Sequence, residues 1–236
     1  MARTRAFSDL RMDVRVRCDL VGSAFPAETE IGELVNQGWA ELYDLLIESG
    51  EKFYMKTTPN LAVSSDLLAI TSNVPDFYSL VGLDVLVGGQ QWTDAHRFQF
   101  EQRNDYSSVV AMGWAWPYDV RYDLWGDNIK FIPAVPSSGS VVRLHYYPAP
   151  VRMSADGDSI DGVSGWERYI VDWAAREVAL RDDNHELADR IAQDLALKKA
   201  RIQAMASQRN SGEAPKARIV RGRQQPFALF RRWWGI

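Results

Sequence analysis

Hydrophobic positions fall into two textures along this chain. In AETEIGELVNQGWAELYDLLIESG, residues Ile31, Leu34, Val35, Gly38, Leu42, Leu45 and Leu46 recur every three or four positions. Such spacing draws one apolar stripe and predicts an amphipathic helix. Pro26 stands near its start, where the first turn has no internal acceptor for a missing N–H, and Gly50 offers a left-handed stop. Trp39 and Tyr43, four apart, flank the stripe and widen it by packing. Glycine inside a helix costs about 1 kcal/mol against alanine, so Gly38 predicts a close approach by another helix.

The middle of the chain has short apolar segments broken by Asn73–Val74–Pro75 and Gly88–Gly89, followed by HRFQFEQ, DNIKFIPAV and SVVRLHYYP. In the last of these, Val142, Leu144 and Tyr146 alternate with Val141, Arg143, His145 and Tyr147, the period of a half-buried strand. PSSG before it reads as a turn, so FIPAV–PSSG–SVVRLHYYP predicts a hairpin, with Pro133 placing its first arm at an edge or bulge. After SADGDSIDGVSG the helical period returns. Ser164 and Glu167 have capping-box spacing, and Trp166, Tyr169, Ile170, Trp173, Ala174 and Val178 form a stripe expected to bury against the first helix. A third helix, HELADRIAQDLALKKARIQAMASQ, carries Leu187, Ile191, Leu195, Ile202 and Met205 on one side and charge on the others. The expected architecture is α+β: a helical bundle with an inserted antiparallel β domain and an extended C-terminal tail. Its segments are a basic arm (1–27), a first helical part (28–70), a β-rich insertion (71–155), a second helical part (156–208) and a basic aromatic tail (209–236). The predicted helical core includes Leu34, Leu42, Leu45, Trp166, Ile170 and Trp173.

Charge changes this picture because it is segregated. Among 236 residues the formal net charge is −4. Residues 1–17 hold five arginines against two aspartates, and residues 209–236 hold seven Arg/Lys against Glu213, leaving the body between them at −13. An acidic body repels nucleic acid and copies of itself, whereas basic extensions reach an acidic protein surface, reach DNA, or simply solubilise. The 46% hydrophobic composition argues against wholesale disorder. One cysteine, Cys18, excludes an internal disulfide and any multi-cysteine metal site. No apolar run approaches the roughly 20 residues of a membrane span.

Few residues suggest chemistry. His96, His145 and His185 lack any metal-ligand spacing. Cys18 lies in an arginine-rich segment that would lower its pKa, without a cysteine-hydrolase motif around it. Asp156, Asp158 and Asp161 resemble an incomplete calcium loop, and a soluble turn explains them equally. No catalytic residue, metal or cofactor is expected. GWAWPYDVRYDLWG concentrates Trp114, Trp116, Tyr118, Tyr122 and Trp125, rings that serve a protein interface, internal packing, or stacking on sugar or base. Phe227, Phe230, Trp233 and Trp234, with Arg231 and Arg232 between them, give the tail the composition of a docking sequence.

The segments ELVNQGWAELYDLLIESGEKFY, VPDFYSLVGLDVLVGG, IKFIPAVPSSGSVVRLHYYPAP, GWERYIVDWAAREVALRDDN and MASQRNSGEAPKA, in that order, resemble the head–tail connector adaptor proteins of tailed bacteriophages. The likeness spans roughly residues 28–215. It implies a dodecameric ring of identical copies in the virion, at the head–tail junction, made and assembled in the host cytoplasm. The portal protein lies above it, a downstream tail or nozzle protein below, and genomic DNA passes through without sequence-specific binding. It implies no enzyme, cofactor or membrane. A C-terminal segment that reaches along the portal falls here on 209–236. Two other classes compete: a nucleic-acid-binding module using Arg218, Arg221, Arg223, Arg231 and Arg232, and a carbohydrate-binding or hydrolytic tail protein using the aromatic cluster with Asp119 or Asp123.

Overall fold

The computed structural model describes residues 4–50, 52–63, 65–87, 91–104, 120–132, 140–160 and 166–209. Four helices build the first of two cores: α1 (Phe7–Arg17), α2 (Glu28–Glu48), α3 (Glu167–Arg181) and α4 (His185–Arg209). All seven stripe residues of α2 are buried, and so are Trp39 and Tyr43. Beyond the cap residue Ser49, Gly50 takes φ 81° and its N–H reaches the Ile47 carbonyl at 3.0 Å, ending the helix in the left-handed region. Gly38 lies against α3: a Cβ there would stand 3.1 Å from the Ile170 carbonyl oxygen and 3.4 Å from Trp173 Cβ. The glycine therefore sets how closely α2 and α3 pack.

Eleven strands are seen among the described residues, ten of them between α2 and α3, and nine of those ten form two sheets. The first sheet runs β2 (Lys56–Thr57), β10 (Val141–Pro148), β5 (Phe77–Val87), β6 (Gln91–Asp94), with β3 (Leu61–Ala62) also on β10. The second runs β4 (Leu67–Ala69), β9 (Asn128–Ile132), β8 (Arg121–Trp125), β7 (His96–Arg97). Every pairing is antiparallel except β7 with β8. Both sheets contribute to the second core, through Leu83, Val85, Val142 and Leu144 from one and Ile129 and Phe131 from the other. Where β10 pairs with β5 the register slips between His145 and Tyr146, leaving Val81 as an extra residue with its side chain exposed.

Several expectations are corrected. The arm 1–27 contains α1, whose Phe7, Leu10 and Val14 enter the helical core. Its described arginines are partnered rather than free: Arg5 with Asp13, Arg11 with Asp156, Arg15 with Glu28 at 2.7 Å, and Arg17 with Asp194 at 2.7 Å. β1 (Arg5–Ala6) also pairs with β11 (Ser159–Ile160), tying the start of the chain to the approach to α3. The first helical part stops at Glu48, and strands begin at Lys56 rather than after residue 70. β9 and β10 do not form a hairpin; they lie in different sheets, and β9 instead turns back on β8 through Gly126–Asp127. Gly126 has φ 58°, which suits the first position of a two-residue hairpin loop. α3 begins at Glu167 with Trp166 as its cap residue and no side-chain cap bond, so Glu167 is not the third residue of a capping box; Ser164 lies outside the described residues. Tyr169 and Ile170 are buried as the stripe predicts, whereas Trp166 and Trp173 are only partly covered at the edge of the core. The tail, residues 210–236, lies outside the described residues.

The bundle and the β domain meet at Tyr43. Its ring packs 5.7 Å from Trp39, 5.0 Å from Tyr54 and 6.1 Å from Tyr78, centroid to centroid. Its hydroxyl donates to the Pro148 carbonyl at 2.5 Å, at the end of β10. Just beyond, Asn36 exchanges two hydrogen bonds with the Met153 backbone, at 3.0 and 2.9 Å. Inserting bulk at the other α2 contact should separate the helices. Gly38→Leu is expected to lower unfolding free energy by about 1–3 kcal/mol through overpacking; an unchanged urea midpoint would show that the Ile170 backbone yields freely.

Candidate assembly interface

The surface of α2 is charged in one sense only. Its 21 residues include six acids and no Lys or Arg. Glu33, Gln37, Glu41, Asp44 and Glu48 are exposed along one side, as their helical spacing requires. Glu30 is engaged by Arg181, Glu33 by Arg152, and Asp44 by the Tyr78 hydroxyl. The last turn holds no base, so Asp44 and Glu48 stand at the negative end of the helix dipole, an unfavourable place for a carboxylate. The second half of α4 is opposite in sign: residues 195–209 contain Lys198, Lys199, Arg201 and Arg209 and no acid. Lys199 and Arg201 are exposed there, as are Leu197, at 73%, and Ala200.

Charge inside the bundle is paired. Asp172 on α3 is 0% exposed and faces Lys198 of α4 and Arg17 of α1, whose Nε lies 3.2 Å from Oδ1. Arg17 also donates to Asp194 at 2.7 Å. One carboxylate thus joins three helices, and removing either cation would leave the buried charge with a single partner.

The aromatic segment divides. Trp114, Trp116 and Tyr118, with Asp119, lie outside the described residues. Tyr122 is in the β core rather than at a surface, and burial raises its phenol above the ordinary value. Trp125 is 37% exposed, its ring 5.9 Å from Phe100, with Lys130 Nζ 5.7 Å from its centroid. Asp123 is buried and receives Arg97 Nε at 3.0 Å, an ion pair that the sequence did not indicate. Phe227, Phe230, Arg231, Arg232, Trp233 and Trp234 lie outside the described residues. Of the predicted helical core, Leu34, Leu42, Leu45 and Ile170 are buried.

The other chemical candidates have local roles. His145 sits between Asp84 Oδ2 and Thr57 Oγ1, each 2.9 Å from a ring nitrogen, and cross-links β5, β10 and β2. Asp158 accepts the backbone N–H groups of Ser154 and Ala155, which hold its carboxyl below the usual range. Asp156 is the partner of Arg11, and Asp161 lies outside the described residues. Among the described residues no group of three His, Cys, Asp or Glu could hold a metal ion, and no helix is long and apolar enough to cross a membrane.

A model of the SU10 adaptor protein family matches residues 5–221, and the chain belongs to that family of head–tail connector adaptors of tailed bacteriophages. No curated protein matches the chain. The family is a structural adaptor rather than an enzyme, and it implies interaction with portal and tail proteins in phage assembly. The match begins before α1, so that helix falls within the family pattern and not outside it.

Cys18 tests the local electrostatics. Its thiol donates to the Ala175 carbonyl at 3.4 Å, and burial pushes its pKa up to about 11 despite the neighbouring Arg17, opposite to the expected lowering. Against an ordinary thiol near 9.0 the thiolate fraction at pH 8 falls about 100-fold. Alkylation of the native protein should be markedly slower than that of the urea-unfolded chain; equal rates would contradict the burial.

Proposed function

We propose that copies of this chain form a closed ring of twelve between the portal and the later tail parts, and that genomic DNA passes through its centre. The family match over residues 5–221 carries the reading. The molecule suits such a role physically: Tyr43 of the helical core packs on Tyr78 of β5 and holds the Pro148 carbonyl of β10, a contact that ties the bundle to the β domain. A closed ring requires a heterologous contact, two different faces per copy. An acidic body, net −13 between residues 18 and 208, disfavours retention of DNA.

The tail is the proposed portal anchor. Phe227, Phe230, Trp233 and Trp234 supply large apolar area, and Arg231 and Arg232 supply charge-assisted pairs to carboxylates. Trp114, Trp116, Tyr118 and Trp125 are proposed to face protein rather than sugar or base. Heads produced without this chain should fail to join tails, and adding the purified protein should restore joining. Deleting residues 227–236 should leave the melting temperature nearly unchanged while strongly reducing attachment to portal-bearing heads. Changing Arg231 and Arg232 to Gln should weaken attachment more at low salt than at high salt, because salt screens rim charges. Equal attachment by the truncated chain would remove the tail as the anchor, and loss of DNA affinity alone would favour a nucleic-acid-binding module.

A further inference from the structure

We infer that the contact between neighbouring copies sets the acidic outer face of α2 in one chain against the basic outer face of α4 in the next. The inference rests on the ring proposed above and names its two faces. Both helices bury their inner sides in the same core, and both contact α3. Their outer sides therefore point away from the bundle in different directions, as a heterologous contact requires.

Charge selects this pairing. Carboxylates at the C-terminal end of α2 oppose its dipole, so helix stability does not account for Asp44 and Glu48. Cations from a second chain would offset both the dipole and the run of like charge. The basic half of α4 is the matching surface: Arg201 lies one turn on from Leu197, an apolar side chain with little cover in the single chain, and Lys199 stands at the opposite edge of the exposed side. Ala200 keeps the helix surface low beside Leu197, so a second helix can approach closely. Lys198 is turned inward to Asp172, so the outer side of this segment carries Lys199 and Arg201, with no acid among residues 195–209, and offers another acidic body attraction instead of repulsion.

The test uses the full chain assembled on heads. Cys18 is the single native cysteine and is half-buried, so new surface thiols react first. A chain carrying Glu41→Cys and Lys199→Cys, treated on particles with a short bis-maleimide, should give a denaturation-resistant ladder of dimers, trimers and higher multiples. Each chain with only one of the two introduced cysteines should give none above background. Separately, Lys199→Glu with Arg201→Glu should reduce bound copies per head at least about tenfold at low salt, as should Glu41→Lys with Glu48→Lys; all four together should restore binding to within about threefold. Circular dichroism and the melting temperature of each variant establish that it is folded. Particles that hold several copies yet give no ladder and no charge rescue would overturn the face pairing and leave the ring standing. A product that stops at dimers would mean a two-fold contact and also overturn it. One copy per head would overturn the ring itself.

Discussion

Tyr43 is the joint on which the rest of the molecule hangs. It comes from the middle of the longest predicted stripe and lies in the helical core, yet it reaches the β domain: three aromatic neighbours surround its ring, Tyr78 of β5 among them, and its hydroxyl holds the end of β10. A phenol suits this place because it is apolar over most of its area and polar at its tip. Phenylalanine would fill the space but leave the Pro148 carbonyl without this partner. The bundle and the β domain meet at an angle set by this contact. That angle is fixed by packed rings and hydrogen bonds from Asn36 and Tyr43, not by chain connectivity alone.

The charges follow a similar division between inside and outside. Within the bundle they are matched: Asp172 meets two cations from two other helices, and Arg15 reaches Glu28 and the carbonyls of Ser23 and Pro26. On the outside they are sorted by sign, acid on α2 and base on the second half of α4. Sorting like charges onto one helix face brings no benefit to an isolated chain, since neighbouring carboxylates repel and the dipole is opposed. Part of the α2 run is answered within the chain, Glu30 by Arg181 and Glu33 by Arg152, while Glu41 and Glu48 face outward.

Much of the bundle was legible in the sequence because its signals are local. The α2 stripe, the stop at Gly50 and the close approach at Gly38 all follow from spacing and backbone stereochemistry, and each has its counterpart in the fold. α1 was harder to see: only Phe7, Leu10 and Val14 mark its buried side, and five arginines in the first 17 residues suggested an arm. Their acidic partners lie on other elements, which periodicity does not report. Strand pairing failed for the same reason. PSSG looked like the turn between β9 and β10, but β10 found its partners in β2, β3 and β5, while the true two-residue hairpin was WGDN, inside a segment read for its rings. Alternation identifies which side of a strand is buried, not which sheet covers it. Tyr122 and Trp125 show this within one strand: one is buried in the core and the other is partly exposed, though both looked alike as members of an aromatic cluster.

The central claim is that this chain acts as a multimeric ring rather than as a single bound factor. Symmetry-resolved cryo-electron microscopy of the head–tail junction measures that directly, in particles assembled with the full chain. Density for twelve copies around the channel, each with its bundle and β domain joined at Tyr43, is the result predicted. A single copy at the junction, or a chain located elsewhere in the particle, would contradict it.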